Sequence, residues 1–223
     1  QAWYTRKVFV PSCWKGQRVF IRVGSAVYAG TVYLNGVNIG SHEGGHLPFA
    51  FEITDKIKWG EENIIAISVE NTLKPTRVPS GDMPGSEMSL FASTPKTTYD
   101  FYPFSGIHRP VVLYSVPQTY IEDVTVVTGI NHSDGTVKVT VQLNAAVSGR
   151  GSVELKGNDA SITANLAFTD GRAEATLTVP DARLWSDKDP YLYELAITAG
   201  DDQYSLKVGI RTISVEGGKI LLN

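Results

Sequence analysis

The sequence predicts an all-β protein, and three observations support that fold class. Short runs of alternating apolar and polar residues recur along the 223 residues, and this period of two is typical of half-buried strands. Clusters of glycine, proline, asparagine and aspartate separate the runs, as turns require. No stretch of the sequence shows the three-to-four-residue apolar spacing of an amphipathic helix. We therefore expect a chain built from strands and turns throughout.

Composition limits the kind of protein. Hydrophobic residues make up 42% of the chain, which is enough to bury a core. No apolar run approaches the ~20 residues that span a bilayer, so we expect a soluble protein with no membrane partner. Lysine and arginine total 20 against 23 aspartate and glutamate, a net charge of −3. Because nucleic-acid-binding domains carry a clustered basic surplus, we expect no nucleic-acid partner.

Cys13 is the only cysteine of the sequence. An internal disulfide, and zinc sites built from two or four cysteines, are therefore excluded. The cellular compartment stays open, because an exported bacterial protein can also lack disulfides and the chain shows no signal peptide.

The first part of the chain contains four alternating runs. Residues 1–10 form a strand that is already in progress at the first residue, and residues 17–23 form a half-buried strand. Residues 49–53 and 63–70 form two more. Between them Asn35 and Gly36 join two apolar runs, and both residue types accept the positive φ of a type I′ turn. We therefore predict a tight hairpin at these two residues.

Residues 41–48 form a turn-rich connection that carries two histidines, His42 and His46, beside Glu43. Such a set allows a metal site as one interpretation. Gly44 and Gly45 make the segment a flexible loop instead of a helix face, so no regular spacing directs the ligands at one ion. We expect polar loop histidines and no metal.

Residues 71–98 contain four prolines and show no sustained periodicity. Structureless connections longer than ~12–15 residues are uncommon in compact domains and are usually functional or disordered. This one leads directly into residues 99–109, which combine four aromatic rings with a carboxylate, a histidine and an arginine. We expect a functional stretch there, followed by a strand in which Pro110 indicates an edge or starting position.

Pro117 marks a predicted domain boundary. About seven short alternating runs follow over ~100 residues, which is the pattern of an immunoglobulin-like β-sandwich. We expect the aromatic residues Trp185, Tyr191 and Tyr193 to pack in its core and between its sheets. The predicted strands are residues 120–128, 136–143, 151–155, 161–168, 173–179, 191–198 and 204–209.

Taken together, these residues resemble glycoside hydrolase family 2 and, within it, the β-glucuronidases. The resemblance covers almost the whole chain, and its segments occur in the family's order. In the first part they include VYLNG at residues 32–36, GSHEGGHLPF at 40–49 and the run at 100–113. The others are residues 3–9, 119–126, 184–195 and 208–211.

The resemblance implies three parts. Residues 1–117 would be a jelly-roll, galactose-binding-like sugar-binding domain that is truncated at its start. Residues 118–215 would be the immunoglobulin-like sandwich, and residues 216–223 would begin a TIM-barrel catalytic domain. Members of the family are retaining glycosidases whose two catalytic glutamates lie on that barrel.

No catalytic residue is expected in this chain. Its sequence has no Asn-Glu pair of the kind that carries the family's acid/base glutamate. Retaining hydrolysis needs two carboxyl groups ~5–5.5 Å apart on a rigid scaffold, whereas the acidic residues here fall mostly beside turns. The resemblance implies a carbohydrate substrate, the barrel of the same chain as a partner, no cofactor and a possible homo-oligomer of the full enzyme.

Three residues are predicted to contact substrate. Asp100 matches a family aspartate that hydrogen-bonds the sugar next to the barrel; the alternative is a loop aspartate that caps a turn. Phe101 either stacks on a sugar ring or belongs to the core. His108 either lines the site or packs between domains.

For two further residues a structural role is one of the interpretations. Arg109 has enough N–H donors to bind several loop carbonyls, so we expect a structural role. Asn71 resembles an asparagine at the family's junction with the barrel. A structural role in a turn and a contact with ligand are equally compatible with that position.

The function that the sequence favours is the non-catalytic front part of an exo-acting β-glucuronidase that hydrolyses terminal β-D-glucuronides. The same region of a family β-galactosidase is an alternative, because the Asp100 match extends to those enzymes. A free-standing carbohydrate-binding module is a third, because a jelly-roll fold does not by itself specify function.

Overall fold

A computed structural model of the chain describes residues 1–78, 80–81, 105–157 and 161–223. These residues form two compact units, Gln1–Val116 and Pro117–Asn223. No helix within the described ranges is long and apolar enough to cross a membrane.

The first unit is a sandwich of two antiparallel sheets. Its strands are β1 (Ala2–Phe9), β2 (Arg18–Val23), β3 (Ala29–Leu34), β4 (Val37–Glu43), β5 (Phe49–Glu52), β6 (Glu62–Glu70) and β7 (Val111–Val116). A four-stranded sheet has the order β1–β6–β3–β4, and a three-stranded sheet has the order β5–β2–β7.

The period-two pattern of the sequence determines which side chains enter the core of this unit. On β2, Val19, Ile21 and Val23 are at most 1% exposed, while the alternate Arg22 is exposed. Fully burying an aliphatic side chain of this size contributes about 1.5–3 kcal/mol. Pro110 directly precedes β7, which is an edge strand, so the predicted position of this proline is confirmed.

The hairpin at Asn35 and Gly36 is confirmed. The two residues have φ values of 52° and 85°, and Leu34 pairs with Val37 across the turn. The following strand is longer than predicted, because its pairing with β3 continues to the contact between Ala29 and Glu43. The prediction that residues 41–48 form a loop was therefore wrong for residues 41–43, which backbone pairing holds in β4.

The second unit is also a sandwich, with the seven strands predicted from the sequence. These strands are β8 (Ile121–Asn131), β9 (Asp134–Leu143), β10 (Gly149–Lys156), β11 (Ser161–Phe168), β12 (Arg172–Val179), β13 (Tyr193–Ala199) and β14 (Asp202–Val208). One sheet has the order β11–β10–β13–β14 and the other has the order β12–β9–β8. Val137, Val139 and Leu195 are fully buried between the two sheets.

The predicted aromatic packing in this unit is confirmed for two residues. Tyr193 is 6% exposed and belongs to the core, with Tyr191 packed against it at a ring distance of 4.8 Å. The Tyr193 hydroxyl accepts a hydrogen bond from the backbone N–H of Arg183 at 2.9 Å. Trp185 instead lies under the guanidinium of Arg211, 4.8 Å from the ring centre.

The last element is a hairpin that the sequence analysis did not anticipate. Strands β15 (Ile213–Glu216) and β16 (Lys219–Leu222) pair through a turn at Gly217 and Gly218. Both glycines have positive φ values, 55° and 74°. Such a glycine pair is a turn signal of the same kind as Asn35–Gly36, and it was available in the sequence.

Candidate functional site

Four segments of the first unit meet at one end of its sandwich, which we call the loop end. They are residues 24–28, residues 42–46, residues 70–78 with 80–81, and residues 105–110. Antiparallel pairing brings them together, because Ala29 at the start of β3 pairs with Glu43 and with Glu70 at the ends of β4 and β6. In the other sheet Val23 pairs with Val111, so residues 24–28 and 105–110 leave that sheet side by side.

Backbone hydrogen bonds hold the four segments to one another. Gly24 donates to the carbonyl of Pro110 at 2.9 Å, and Val27 donates to the carbonyl of Gly106 at 3.0 Å. Tyr28 donates to the carbonyl of Glu70 at 2.7 Å, and the N–H of Gly44 donates to the carbonyl of Tyr28 at 3.0 Å. These backbone hydrogen bonds therefore hold the described residues of the loop end to the two sheets.

His108 lies at the loop end and is fixed by a buried serine. Its Nδ1 atom is 3.0 Å from the hydroxyl oxygen of Ser25, which is 0% exposed. The single hydroxyl proton of Ser25 is donated to the carbonyl of Gly45. Since a serine oxygen with its proton committed can only accept, Nδ1 of His108 carries the proton in this bond. The ring orientation and tautomer of His108 are thus determined by the scaffold.

Arg109 also binds this framework. Its Nη1 atom donates to the carbonyl of His46 at 3.0 Å, which ties residues 105–110 to residues 42–46. This contact is of the kind predicted from its donor set. The ring of His46 lies edge-on to the ring of His108, with 6.0 Å between their centres.

Asn71 lies directly after β6 and binds the segment that leads into β7. Its side-chain Nδ2 donates to the hydroxyl of Ser105 at 2.9 Å. A cavity of about 190 Å³ lies beside this contact. That volume is below the ~300–1,000 Å³ typical of ligand pockets, so the residues described around it supply part of a binding site at most. They are Gln1, Ala2, Tyr4, Val27, Val69, Asn71, Ser105 and Gly106.

An ion-pair cluster at the loop end was not predicted. The side chain of Arg77 is 1% exposed; its Nη2 donates to Oε2 of Glu43 at 3.1 Å, and its Nε lies 3.0 Å from Oε1 as an ion-pair contact without hydrogen-bond geometry. Its Nη2 also lies 3.7 Å from Glu70, and its Nη1 donates to the carbonyl of Thr72 at 2.7 Å. Arginine in an irregular, proline-rich segment carries no sequence signal of burial, and Glu43 is distant in sequence.

The two carboxylates of this cluster are unsuited to general acid chemistry. The hydrogen bond from Arg77 lowers the pKa of Glu43 below its ordinary value. A hydrogen bond from Thr72 lowers the pKa of Glu70, with the charge of Arg77 adding to that effect. A glycosidase general acid needs a raised pKa. Both groups therefore stay ionised near neutral pH, and their chemistry is structural.

The structure brings together some of the predicted residues and leaves others untested. His108, Arg109 and Asn71 all lie at the loop end. Asp100 and Phe101 lie outside the described residues, as do all but ten residues of the 71–98 segment.

The two histidines of the 41–48 segment contact aromatic rings in the described part of the chain. The ring of His42 stacks on Phe49 with 4.6 Å between ring centres. Among the residues that the structure describes, no group of three or more potential metal ligands converges.

Comparisons with known proteins cover both units. The family model described as "Glycosyl hydrolases family 2, sugar binding domain" matches residues 1–117, and the model described as "Glycosyl hydrolases family 2" matches residues 119–211. The β-glucuronidase of Canis lupus familiaris is 34% identical to this chain over 243 aligned residues. The β-glucuronidase of Paenibacillus borealis is 34% identical over 230 residues.

Solved structures of β-glucuronidases are similar in fold as well. The enzyme of Dictyoglomus thermophilum superposes with a TM-score of 0.85 at 34% identity. A β-glucuronidase of Ruminococcus gnavus in complex with D-glucaro-1,5-lactone superposes with a TM-score of 0.85 at 33% identity. Each comparison covers 99% of this chain but only 37% or 38% of the relative. The chain thus spans a little more than a third of the length of these relatives.

Proposed function

Because the chain belongs to glycosyl hydrolase family 2, we propose that it forms the non-catalytic front part of a retaining β-glucuronidase. The observation that carries this proposal is the similarity to β-glucuronidases over 99% of the chain, at 34% identity and a TM-score of 0.85. In the proposal, residues 1–117 are the sugar-binding domain and residues 118–215 the immunoglobulin-like domain. Residues 216–223 lead into a catalytic barrel.

The proposed role of the first unit is to supply substrate contacts from its loop end. Asp100 would accept hydrogen bonds from two sugar hydroxyls, for which an ionised carboxylate is suited. Phe101 would stack on the sugar ring, and His108 would contribute a fixed hydrogen-bonding ring. The bond between His108 and the buried Ser25 supports this role, because an orienting group is useful only if its own geometry is held.

The proposed chemistry takes place on the part that the relatives have and this chain does not cover. Double displacement needs a nucleophilic carboxylate and a protonated carboxyl group. At the loop end the described carboxylates, Glu43 and Glu70, have lowered pKa values. We therefore assign positioning of the sugar to this chain and cleavage of the glycosidic bond to the barrel.

A β-galactosidase of the same family is the second candidate, since the match at Asp100 does not choose the sugar. The β-glucuronidase relatives of mammals and bacteria favour the first candidate. A free-standing carbohydrate-binding module is the third candidate, and it predicts sugar binding by the 223-residue chain without any hydrolytic partner.

One assay tests the proposal. The full-length protein should hydrolyse an aryl β-glucuronide with retention of anomeric configuration, and hydrolyse the matching galactoside and mannoside far more slowly. The 223-residue chain should hydrolyse none of them. Preference of the full-length protein for the galactoside would replace the first candidate with the second. Hydrolysis by the 223-residue chain would overturn the division of roles.

A further inference from the structure

Arg77 is the only charged residue that is buried among the residues the structure describes, at 2% exposure. It lies in residues 71–78, which follow β6 and of which most side chains are exposed. Removing a guanidinium from water is costly unless its donors are satisfied. The burial of the Arg77 guanidinium is therefore not explained by the burial of apolar surface alone.

The contacts of Arg77 join two parts of the loop end. On one side its Nη2 donates to the Glu43 carboxylate at 3.1 Å, with Nε 3.0 Å from the other carboxylate oxygen. On the other side its Nη1 donates to the carbonyl of Thr72 at 2.7 Å. The end of β4 is thus connected through one rigid fork to the backbone that follows β6.

The backbone held in this way carries Asn71, the residue directly before Thr72. The Asn71 side chain donates one N–H to the hydroxyl of Ser105 at 2.9 Å, so its amide lies against the residues that precede β7. An asparagine amide has a second N–H and an acceptor oxygen, a donor and acceptor pair that matches sugar hydroxyls. Asn71 lies at the cavity of about 190 Å³ described above.

We propose that Arg77 is a positioning residue, which holds the Thr72 carbonyl against Glu43 and thereby fixes the Asn71 amide for contact with a sugar hydroxyl. This inference rests on the proposed function of the chain. It assigns to Arg77 no contact with substrate. Its effect on hydrolysis passes through Asn71.

The chain contains a matched control for the loss of an arginine–glutamate pair away from the loop end. Arg18 also pairs with a glutamate, since its Nε donates to Oε1 of Glu52 at 3.1 Å and its Nη2 to Oε2 at 2.6 Å. Arg18 starts β2, whereas the loop end follows Val23 at the other end of that strand. Six residues of strand separate the two ends by roughly 17 Å.

The kinetic test is a double-mutant cycle in the full-length protein, with an aryl β-glucuronide as substrate. Arg77→Met should lower kcat/KM by about tenfold in the parent background and by less than about twofold in the Asn71→Ala background, because the pathway through Asn71 is then already lost. Arg18→Met should leave kcat/KM within about twofold. Equal losses from Arg77→Met in both backgrounds would overturn the inference.

A second measurement does not depend on activity. In the 223-residue chain, the side-chain amide resonances of Asn71 should move towards their random-coil positions in Arg77→Met and stay in place in Arg18→Met. Unchanged Asn71 resonances in Arg77→Met would overturn the inference.

Arg77→Lys keeps the positive charge but loses the planar guanidinium. It should restore less than half of the kcat/KM that Arg77→Met loses. A full-length protein without glucuronidase activity would overturn the proposed function instead.

Discussion

The imidazole of His108 donates from Nδ1 to the hydroxyl of Ser25 at a distance of 3.0 Å, and that hydroxyl donates onward to the carbonyl of Gly45. Ser25 is 0% exposed, so this relay connects an exposed ring to a buried carbonyl. The order of donors leaves His108 with one defined tautomer in the relay. The stability of the loop end and the orientation of His108 therefore depend on the same hydroxyl group.

Ser25→Ala should reduce the free energy of unfolding of the first unit by about 1–3 kcal/mol, because it leaves the Gly45 carbonyl buried without its donor. Urea denaturation of the 223-residue chain measures this. The matched control is Ser41→Ala, because Ser41 is exposed and its hydroxyl bonds to Thr31 at 2.9 Å. A Ser25→Ala variant as stable as Ser41→Ala would contradict the relay.

Gly24→Ala should destabilise the first unit through a steric clash at the loop end. A methyl group at this position would lie 2.8 Å from the Cβ of Arg109 and 3.0 Å from the carbonyl oxygen of Pro110. Overpacking of this kind costs about 1–3 kcal/mol. The control is Gly149→Ala, since nothing lies within 4 Å of a methyl group there. Thermal unfolding of both variants tests the difference, and equal midpoints would show that residues 109–110 can move aside.

Glu174 should make stability depend on pH in the acid range. Its carboxylate accepts hydrogen bonds from Arg172 at 2.6 Å and Thr140 at 3.1 Å, and Lys138 lies 3.1 Å away. The bond from Arg172, followed by that from Lys138, lowers the pKa of Glu174 to about 2 from a value of 4.5. Because the folded pKa is the lower one, the stabilisation is complete above pH 4.5 and is lost as the pH falls towards 2.

The comparison of Glu174→Gln with the parent chain tests that dependence. The difference in unfolding free energy should be constant above about pH 5 and shrink towards zero near pH 2. Carbon-detected NMR titration of the Glu174 carboxyl group gives the pKa directly. A titration midpoint near 4.5 would show that the hydrogen bonds from these three partners do not form in solution.

Under the proposed function, in which Asp100 orients the sugar, Asp100→Ala should lower kcat/KM of the full-length protein for an aryl β-glucuronide by about 100-fold or more. Asp55→Ala serves as the control, since Asp55 is an exposed aspartate in a short turn at residues 54–56. The stability of both variants should match the parent. An unchanged kcat/KM for Asp100→Ala would reduce this residue to a loop aspartate.

Local sequence signals were sufficient for most of the fold. The turn at Asn35 and Gly36 could be predicted because the residues that permit positive φ are the turn itself. The seven strands of the second unit followed from their period of two, since alternate residues such as Val137 and Val139 must face the same side. The family resemblance likewise depended on short segments in a recognisable order.

The sequence by itself determined the fold class, most of the strands and the family, because these depend on residues that are close together in the chain. Tertiary structure alone decided which residues meet at the loop end. The partners Ser25 and His108 are 83 residues apart, and Arg77 and Glu43 are 34 apart. Hydrogen bonds over such separations exist only after sheet pairing has brought the segments together. The tautomer of His108 and the burial of Arg77 are therefore properties of the folded chain.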